Sequence, residues 1–201
     1  MNRLTAAAVA TALTLCTTQA ALADAKVGKP APSFTLTDAT GKAHSLADFK
    51  GKTVVLEWTN ADCPFVQKHY SGNMQKQQGQ ATSNDVVWLT INSSASGKQG
   101  SVDGKGAQQV VARTGGKQTA YLLDSPGKVG RDYNAKTTPH MYVIDGQGTL
   151  QYAGAIDSIP SADKNDIAKA TQYVPAALAD VQAGKPVRVA TSQAYGCSIK
   201  Y

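Results

Sequence analysis

The chain has 201 residues, of which 42% are hydrophobic and 17% are charged, a length that suits one globular domain preceded by a short leader. Its formal net charge is +6 at pH 7, but the lysines are scattered and are not interleaved with aromatic residues. This distribution indicates a solvated basic surface and argues against nucleic-acid binding.

The first two dozen residues have the pattern of a secretory signal peptide. Arg3 gives a short positive start, an apolar run follows, and Ala21 and Ala23 form an A-x-A cleavage site. The apolar run is too short to anchor the chain in a bilayer, and no later segment of the sequence is apolar for long enough. We therefore predict that residues 1–23 are removed. Residues 24–201 then form one secreted or periplasmic domain without stable membrane insertion.

Removal of the leader takes Cys16 away and leaves Cys63 and Cys197 in the mature chain. Two cysteines in an exported protein can form one disulfide, because compartments outside the cytosol permit oxidation. Three states of this pair stay open at this point. The two cysteines form a redox-active disulfide, or they form a structural disulfide that holds the tail in place, or they remain unpaired thiols.

The predicted elements alternate between strands and helices along the mature chain. Apolar β-branched runs predict buried strands, and apolar residues at helical spacing between turn signals predict helices. In chain order these are a strand at 33–38, a strand end and helical turn at 43–52, a strand at 53–58, a helix from Pro64 through residue 78, a strand at 85–92, a helix at 107–115, a strand at 119–124, a helix at 125–134, a hairpin at 140–154 and a helix at 170–184. This order predicts an α/β sandwich with parallel pairing and a terminal antiparallel hairpin. The tail after residue 185 has little periodicity.

Cys63 stands where the strand at 53–58 gives way to the helix that begins at Pro64. The first turn of a helix offers unpaired N–H groups and a partial positive charge, and both stabilise a thiolate. The junction therefore indicates a reactive cysteine rather than a buried structural one. Further along this helix, Gly72 is a weak point, and we expect Lys68 and His69 to lie on a solvated face.

Two segments carry a resemblance to a known family. "TVVLEWTNADCPFV" resembles the active-site strand and Cys-x-x-Cys turn of the thioredoxin-fold redoxins, and "TTPHMYVIDGQGTLQYAG" resembles their cis-proline loop and following hairpin. With the late "GCSIKY" tail, the chain is most similar to the exported peroxiredoxin-like (AhpC/TSA-type) proteins. The resemblance implies a thioredoxin-like three-layer α/β/α sandwich with a central mixed sheet.

The resemblance also implies roles for single residues. Cys63 matches the first cysteine of the thioredoxin pair, whereas Val66 stands at the position of the second. Pro139 matches the cis-proline, and Glu57 matches the buried acid that assists proton transfer. The residues alone leave open that Glu57 is instead an exposed carboxylate at the edge of its strand. Asn60 stands at the peroxiredoxin threonine position, where its side chain could offer a hydrogen bond to a peroxide oxygen.

The missing second cysteine of the turn makes Cys197 the predicted resolving thiol. We expect an exported thiol oxidoreductase that reduces peroxides or thiol oxidants through Cys63. Two alternatives stay open: disulfide exchange with client proteins, and a non-catalytic binding module stapled by Cys63 and Cys197. The sequence identifies neither the thiol reductant nor a client protein.

Histidines and cofactors complete the sequence-based expectations. His140 either lies near Cys63, where it would stabilise the thiolate, or is a strand histidine that faces solvent. Exported copper carriers of this fold use a two-cysteine motif, and Val66 removes it. We therefore predict neither a metal nor a cofactor.

Overall fold

The computed structural model describes residues 25–201, so the predicted leader, its cleavage site and Cys16 lie outside the described residues. In chain order the strands are β1 Thr35–Asp38, β2 Ala43–Ser45, β3 Val54–Trp58, β4 Val87–Asn92, β5 Ala120–Leu123, β6 Thr137–Thr138, β7 His140–Ile144, β8 Leu150–Gly154 and β9 Cys197–Ser198. The helices are α1 Pro64–His69, α2 Asn73–Ser83, α3 Gly104–Thr114, α4 Lys128–Asp132 and α5 Tyr173–Gln182, with 3-10 turns at Leu46–Phe49 and Lys164–Asp166.

The central sheet has seven strands in the order β2-β1-β5-β4-β3-β7-β8. The strand β3 lies near its middle, parallel to β4 and antiparallel to β7. All five residues of β3 are buried, as its run of apolar residues predicts for a strand covered on both faces. The sheet is therefore mixed, and the predicted α/β architecture is confirmed.

Alternate residues of β3 point to two different hydrophobic cores. Leu56 and Trp58 pack in one core with Tyr133, which follows α4. Val55 packs in the other core with Met74 of α2 and with residues of α5. Because the side chains of a strand alternate between its faces, the sheet is covered by helices on both sides. These are the three layers that the resemblance implies.

The predicted long helix after Cys63 is two helices in the structure. The first, α1, ends at His69, and α2 begins at Asn73. Between them, Gly72 has φ 131°, a backbone conformation that favours glycine and interrupts the helix. The prediction of one continuous helix was wrong, and the break lies at the glycine that the sequence marks as its weak point.

The register of the sheet brings the end of β3 to the start of β7. Trp58 pairs with His140 across these two strands. Because the strands are antiparallel, the residues after Trp58 and those before His140 lie at the same end of the sheet. The peptide bond between Thr138 and Pro139 is cis, as the resemblance implies.

The C-terminal tail folds back onto the domain. Its strand β9 pairs antiparallel with β6, with Thr138 opposite Cys197 and Thr137 opposite Ser198. The sequence predicts no element here. Within residues 25–201, no helix is both long and apolar enough to cross a membrane.

Candidate active site

Cys63 lies at the junction of β3 and α1. It is the N-cap residue of α1, and Pro64 occupies the first helical turn. The side chain is 0% exposed, and its sulfur lies 3.2 Å from the carbonyl oxygen of Thr138, to which the thiol donates a hydrogen bond. The cysteine and the residue before the cis-proline are therefore in direct contact.

Cys197 lies beside Cys63 because the short β6–β9 ladder places it opposite Thr138. Both cysteines are free thiols in this structure, and their side chains are close enough for each to shift the pKa of the other. Cys197 is partly exposed, in contrast to Cys63. The structure thus brings together the two cysteines that the sequence singles out.

The surroundings separate the acidities of the two thiols. Burial raises the pKa of Cys63, but hydrogen bonds from the Cys197 side chain, the backbone amides of Val66 and Cys197 and the Thr138 side chain outweigh it, so that this pKa is lowered. Burial raises the pKa of Cys197 to about 11, aided by its hydrogen bond to Cys63 and the charge there. Cys63 is therefore the more acidic of the two thiols.

Gly196 allows the tail to approach the cis-proline loop closely. Its φ is 127°, and a Cβ at this position would overlap the carbonyl oxygen of Thr138. A residue with a side chain would therefore move the tail away from β6. The contact between Cys197 and Cys63 depends on this glycine.

A buried polar cluster anchors the tail two residues before Cys197. The hydroxyl of Tyr195 donates a hydrogen bond to Asp157, and Lys68 Nζ lies 3.3 Å from Asp157 Oδ2 and 3.4 Å from the same hydroxyl. His69 Nε2 lies 3.1 Å from that hydroxyl as well. We call Lys68, His69, Asp157 and Tyr195 the tail anchor.

The expectation that Lys68 and His69 lie on a solvated face was wrong. Their relative exposures are 3% and 0%, because α1 turns both side chains toward Asp157 and the folded-back tail. Burial, with a smaller effect of the Lys68 charge, lowers the pKa of His69 to about 4, although Asp157 opposes the shift. His69 is therefore neutral at physiological pH.

The residues that follow Cys197 hold the tail in place on the other side. Lys200 accepts a backbone hydrogen bond from Ala95, and Ile199 donates one to Lys136. Tyr201 donates a hydrogen bond from its hydroxyl to the Ala135 carbonyl at 2.7 Å. Cys197 is thus fixed between two anchored segments.

Glu57 is fully buried beneath the helices, as the resemblance implies. Burial raises its pKa, although hydrogen bonds from Trp88, Tyr70, Gln78 and Thr90 act in the opposite direction. The two shortest, from Trp88 Nε1 and the Tyr70 hydroxyl, are both 2.8 Å. The carboxyl group is therefore tied to α2, β4 and the turn after α1, and its role in proton transfer stays a prediction.

Asn60 shapes the turn that leads to Cys63. Its Oδ1 accepts a hydrogen bond from the Asp62 amide at 2.9 Å, and its Nδ2 donates to the Gln99 carbonyl at 3.3 Å. The side chain is 1% exposed. It organises the turn and the 93–102 loop, and contact with a peroxide oxygen stays a prediction.

His140 follows Pro139 but interacts away from the cysteines. Its Nδ1 lies 3.3 Å from the Lys136 amide and 3.2 Å from the Tyr142 hydroxyl. Burial and the charge of Lys136 lower its pKa to about 4. His140 is therefore a neutral, partly buried imidazole. The sequence allows either a histidine that stabilises the Cys63 thiolate or one that faces solvent, and the structure shows neither arrangement.

The tail anchor includes two residues that sequence reasoning missed, Asp157 and Tyr195. Lys68 and Tyr195 are 127 positions apart in the chain, and no local pattern links them. The motif YGC, in which a glycine separates Tyr195 from Cys197, was the available signal that this short segment needs an unusual backbone.

Comparisons with known proteins agree with the fold. A sequence model described as Redoxin matches residues 26–171, a range that includes Cys63 and Pro139 and stops before the tail. Thioredoxin-like protein YneN of Bacillus subtilis (strain 168) is 28% identical over 126 residues, which cover 62% of this chain and 68% of YneN. A solved hypothetical protein of Sinorhizobium meliloti 1021 has a TM-score of 0.74 at 25% identity, covering 88% of this chain and 94% of that one. An uncharacterized conserved protein of Geobacillus kaustophilus also has a TM-score of 0.74, at 27% identity, with coverages of 88% and 92%.

Proposed function

Because the chain belongs to the Redoxin family, we propose that it is an exported thiol oxidoreductase that reduces a peroxide or another small thiol oxidant through Cys63. The observation that carries the proposal is the position of Cys197 beside Cys63 at the cis-proline loop: β9 places Cys197 opposite Thr138, and the Cys63 sulfur lies 3.2 Å from the Thr138 carbonyl oxygen. A thiolate and a protonated thiol in contact are the two reactants that a dithiol cycle requires.

The cycle begins with attack by the Cys63 thiolate on the peroxide oxygen. The O–O bond breaks, the leaving alkoxide or hydroxide takes a proton from solvent, and Cys63 becomes a sulfenic acid. The Cys197 sulfur then attacks the sulfenic sulfur, its proton leaves with the hydroxyl group as water, and a disulfide forms. The Cys63 sulfur forms the first bond to the peroxide oxygen. The two cysteines together lose two electrons as the disulfide forms, and these electrons reduce the peroxide.

The position of the tail favours a small oxidant over a client protein. Cys63 is 0% exposed beneath the tail, and β9 already occupies the hydrogen-bonding edge of β6. An extended client chain would have to displace β9 in order to reach Cys63. A peroxide needs only a brief opening beside the sulfur.

The test treats the reduced protein and its Cys63→Ser and Cys197→Ser variants with one equivalent of hydrogen peroxide. We expect the unaltered protein to lose two hydrogens as the internal disulfide forms. The Cys197→Ser variant should stop at a sulfenic acid that dimedone labels, because the resolving thiol is missing. The Cys63→Ser variant should remain unreacted, and mass spectrometry distinguishes the three products.

Equal peroxide consumption by the unaltered protein and the Cys63→Ser variant would contradict the peroxidase proposal. Rapid insulin reduction without peroxide turnover would instead favour disulfide exchange with clients.

The leader pattern supports export. An intact mass that places Asp24 first in protein recovered outside the cytoplasm would support this part, and a retained leader would contradict it.

A further inference from the structure

Tyr142 and His140 form a hydrogen-bonded pair that the thiol cycle does not use. We propose that Tyr142 is a one-electron donor, and that His140 accepts its hydroxyl proton when an oxygen-centred radical or another one-electron oxidant removes the electron. The products are a neutral tyrosyl radical, an imidazolium at His140 and the oxidant reduced by one electron. The pair is restored when a thiolate gives one electron to the radical and becomes a thiyl radical, while the proton returns from His140. This activity goes beyond the two-electron reduction of a peroxide through Cys63.

The hydroxyl of Tyr142 faces a base that can take its proton. Its oxygen lies 2.9 Å from the Tyr133 carbonyl oxygen and 3.2 Å from His140 Nδ1. The Lys136 amide, which can only donate, lies 3.3 Å from the same Nδ1. Nδ1 therefore carries no proton, and of the two acceptors at the Tyr142 hydroxyl only the imidazole is a base.

Burial makes such a base necessary for oxidation of the ring. The side chain of Tyr142 is 1% exposed, and burial raises its pKa, so that the phenol is protonated before it is oxidised. A phenol that has lost an electron is a strong acid, and a proton retained on the buried ring would leave an unpaired charge there. Burial, with a smaller effect of the Lys136 charge, lowers the pKa of His140 to about 4, which keeps the imidazole neutral and able to accept that proton.

An aromatic cluster around Tyr142 gives the electron a route through the core. The ring centre of Trp58 lies 5.1 Å from that of Tyr142 and 5.3 Å from that of Tyr133, and the two tyrosine ring centres are 5.4 Å apart. The indole N–H of Trp58 donates to a serine hydroxyl and the hydroxyl of Tyr133 donates to a backbone carbonyl, neither of which is a base. Within this cluster, the oxidised state is therefore stabilised at Tyr142, where the proton can leave.

Tyr195 is the other tyrosine within residues 25–201 whose hydroxyl lies at hydrogen-bond distance from a histidine, but its ring has a different environment. Lys68 Nζ lies 5.6 Å from the centre of the Tyr195 ring. A cation over an aromatic face is attracted to its electrons and opposes the loss of one. The geometry therefore favours Tyr142 over Tyr195 as the site of the radical.

The experiment uses the full mature protein with both Cys63→Ser and Cys197→Ser, so that its own thiols cannot supply the electron. Photolysis of ruthenium tris-bipyridine with persulfate generates the one-electron oxidant. Transient absorption measures the rate at which the tyrosyl radical forms, and electron paramagnetic resonance of frozen samples identifies it. We expect His140→Gln to slow radical formation by at least about tenfold, since a positioned base contributes at least this much to a proton transfer.

Tyr142→Phe should remove the signal of the radical that is hydrogen-bonded to histidine. The matched control is Tyr152→Phe, because Tyr152 is also a buried tyrosine but its hydroxyl contacts a backbone carbonyl and a serine. This control should leave both the signal and its rate of formation unchanged. Electron–nuclear double resonance of the protein with isotope-labelled histidine nitrogen should detect that hydrogen bond without any substitution in the pair, which covers a variant that fails to fold.

An unchanged rate in His140→Gln, a signal that persists in Tyr142→Phe, or a radical without coupling to a histidine nitrogen would overturn the inference. A radical that disappears in Tyr195→Phe instead would place the electron donor in the tail anchor and would also overturn it. Because both cysteines are replaced throughout, none of these results depends on peroxide reduction by Cys63.

Discussion

At the scale of single residues, the lowered pKa of Cys63 comes from particular hydrogen bonds rather than from a long helix. The helix α1 has six residues, and the sulfur is stabilised by the Val66 amide, the Thr138 hydroxyl and the backbone and side chain of Cys197. Three of these donors lie far from Cys63 in sequence. The thiolate therefore depends on the tail and the cis-proline loop being in place.

Glu57 offers a residue-scale prediction about pH. Because its pKa is raised in the folded protein above the ordinary value of 4.5, the folded state binds this proton more tightly than the unfolded state. Its contribution to stability therefore falls as pH rises above 4.5. The Glu57→Gln variant keeps the shape of the side chain and removes the titration.

We expect the free energy of unfolding of the unaltered protein, minus that of Glu57→Gln, to decrease as pH rises from about 4.5 toward neutrality, by at most about 1.4 kcal/mol per pH unit for one proton. Urea denaturation of both proteins across this range measures the difference, and titrations common to both cancel. A difference that stays constant or increases with pH would show that the pKa of Glu57 is not raised.

At the scale of elements, the tail anchor connects α1 to the segment that carries Cys197. The Tyr195 hydroxyl contacts Asp157, His69 and Lys68, so one side chain of the tail meets three buried polar groups. Loss of that hydroxyl leaves Asp157 Oδ1 with the Ile159 amide as its remaining donor. The position of Cys197 should then become less well fixed.

We expect Tyr195→Phe to lower the free energy of unfolding by about 1–3 kcal/mol, because a buried carboxylate loses one of its hydrogen-bond donors. The pKa of Cys63 should rise in this variant, because the tail that donates hydrogen bonds to its sulfur is held less firmly. The rate of alkylation of the reduced protein as a function of pH measures that pKa, and urea denaturation measures the stability.

Tyr201→Phe is the matched control, since its hydroxyl makes a hydrogen bond to the Ala135 carbonyl and its ring also stacks with Arg131 at 4.5 Å. It should change the pKa of Cys63 less than Tyr195→Phe does. An unchanged Cys63 pKa in Tyr195→Phe, with stability reduced, would assign the tail anchor a purely structural role.

At the scale of the whole molecule, the two cysteines would join the segment that follows the interior strand β3 to the C-terminal tail. A disulfide between them would close a loop that includes most of the domain. Such a cross-link restricts the unfolded chain strongly, and the reduced protein already holds the tail beside Cys63. Little movement of the folded state is therefore needed to form the bond.

We expect the oxidised protein to be more stable than the reduced protein by about 3–5 kcal/mol, the range that chain entropy gives for long loops. The urea midpoint should rise on oxidation, and the Cys63→Ser variant should show no such rise. A lower midpoint for the oxidised protein would mean that the disulfide strains the docked tail and that the reduced arrangement is the preferred one.

The sequence by itself determined the alternation of the main strands and helices, though not β6 or β9, and the position of Cys63 at the junction between β3 and α1. Apolar periodicity, glycine breaks and the Cys-Pro junction are local signals, and each reports on residues within a turn or two of itself. Even the error in the first helix fell at Gly72, where the sequence carries its own warning.

Only the tertiary structure decided which residues surround Cys63. Thr138 lies 75 positions away in the chain and Tyr195 lies 127 positions from Lys68, yet they are in contact because the antiparallel sheet and the returning tail bring these segments together. Burial of Lys68 and His69 follows from the same return. Contacts of this kind depend on how the whole chain packs, and local patterns do not record them.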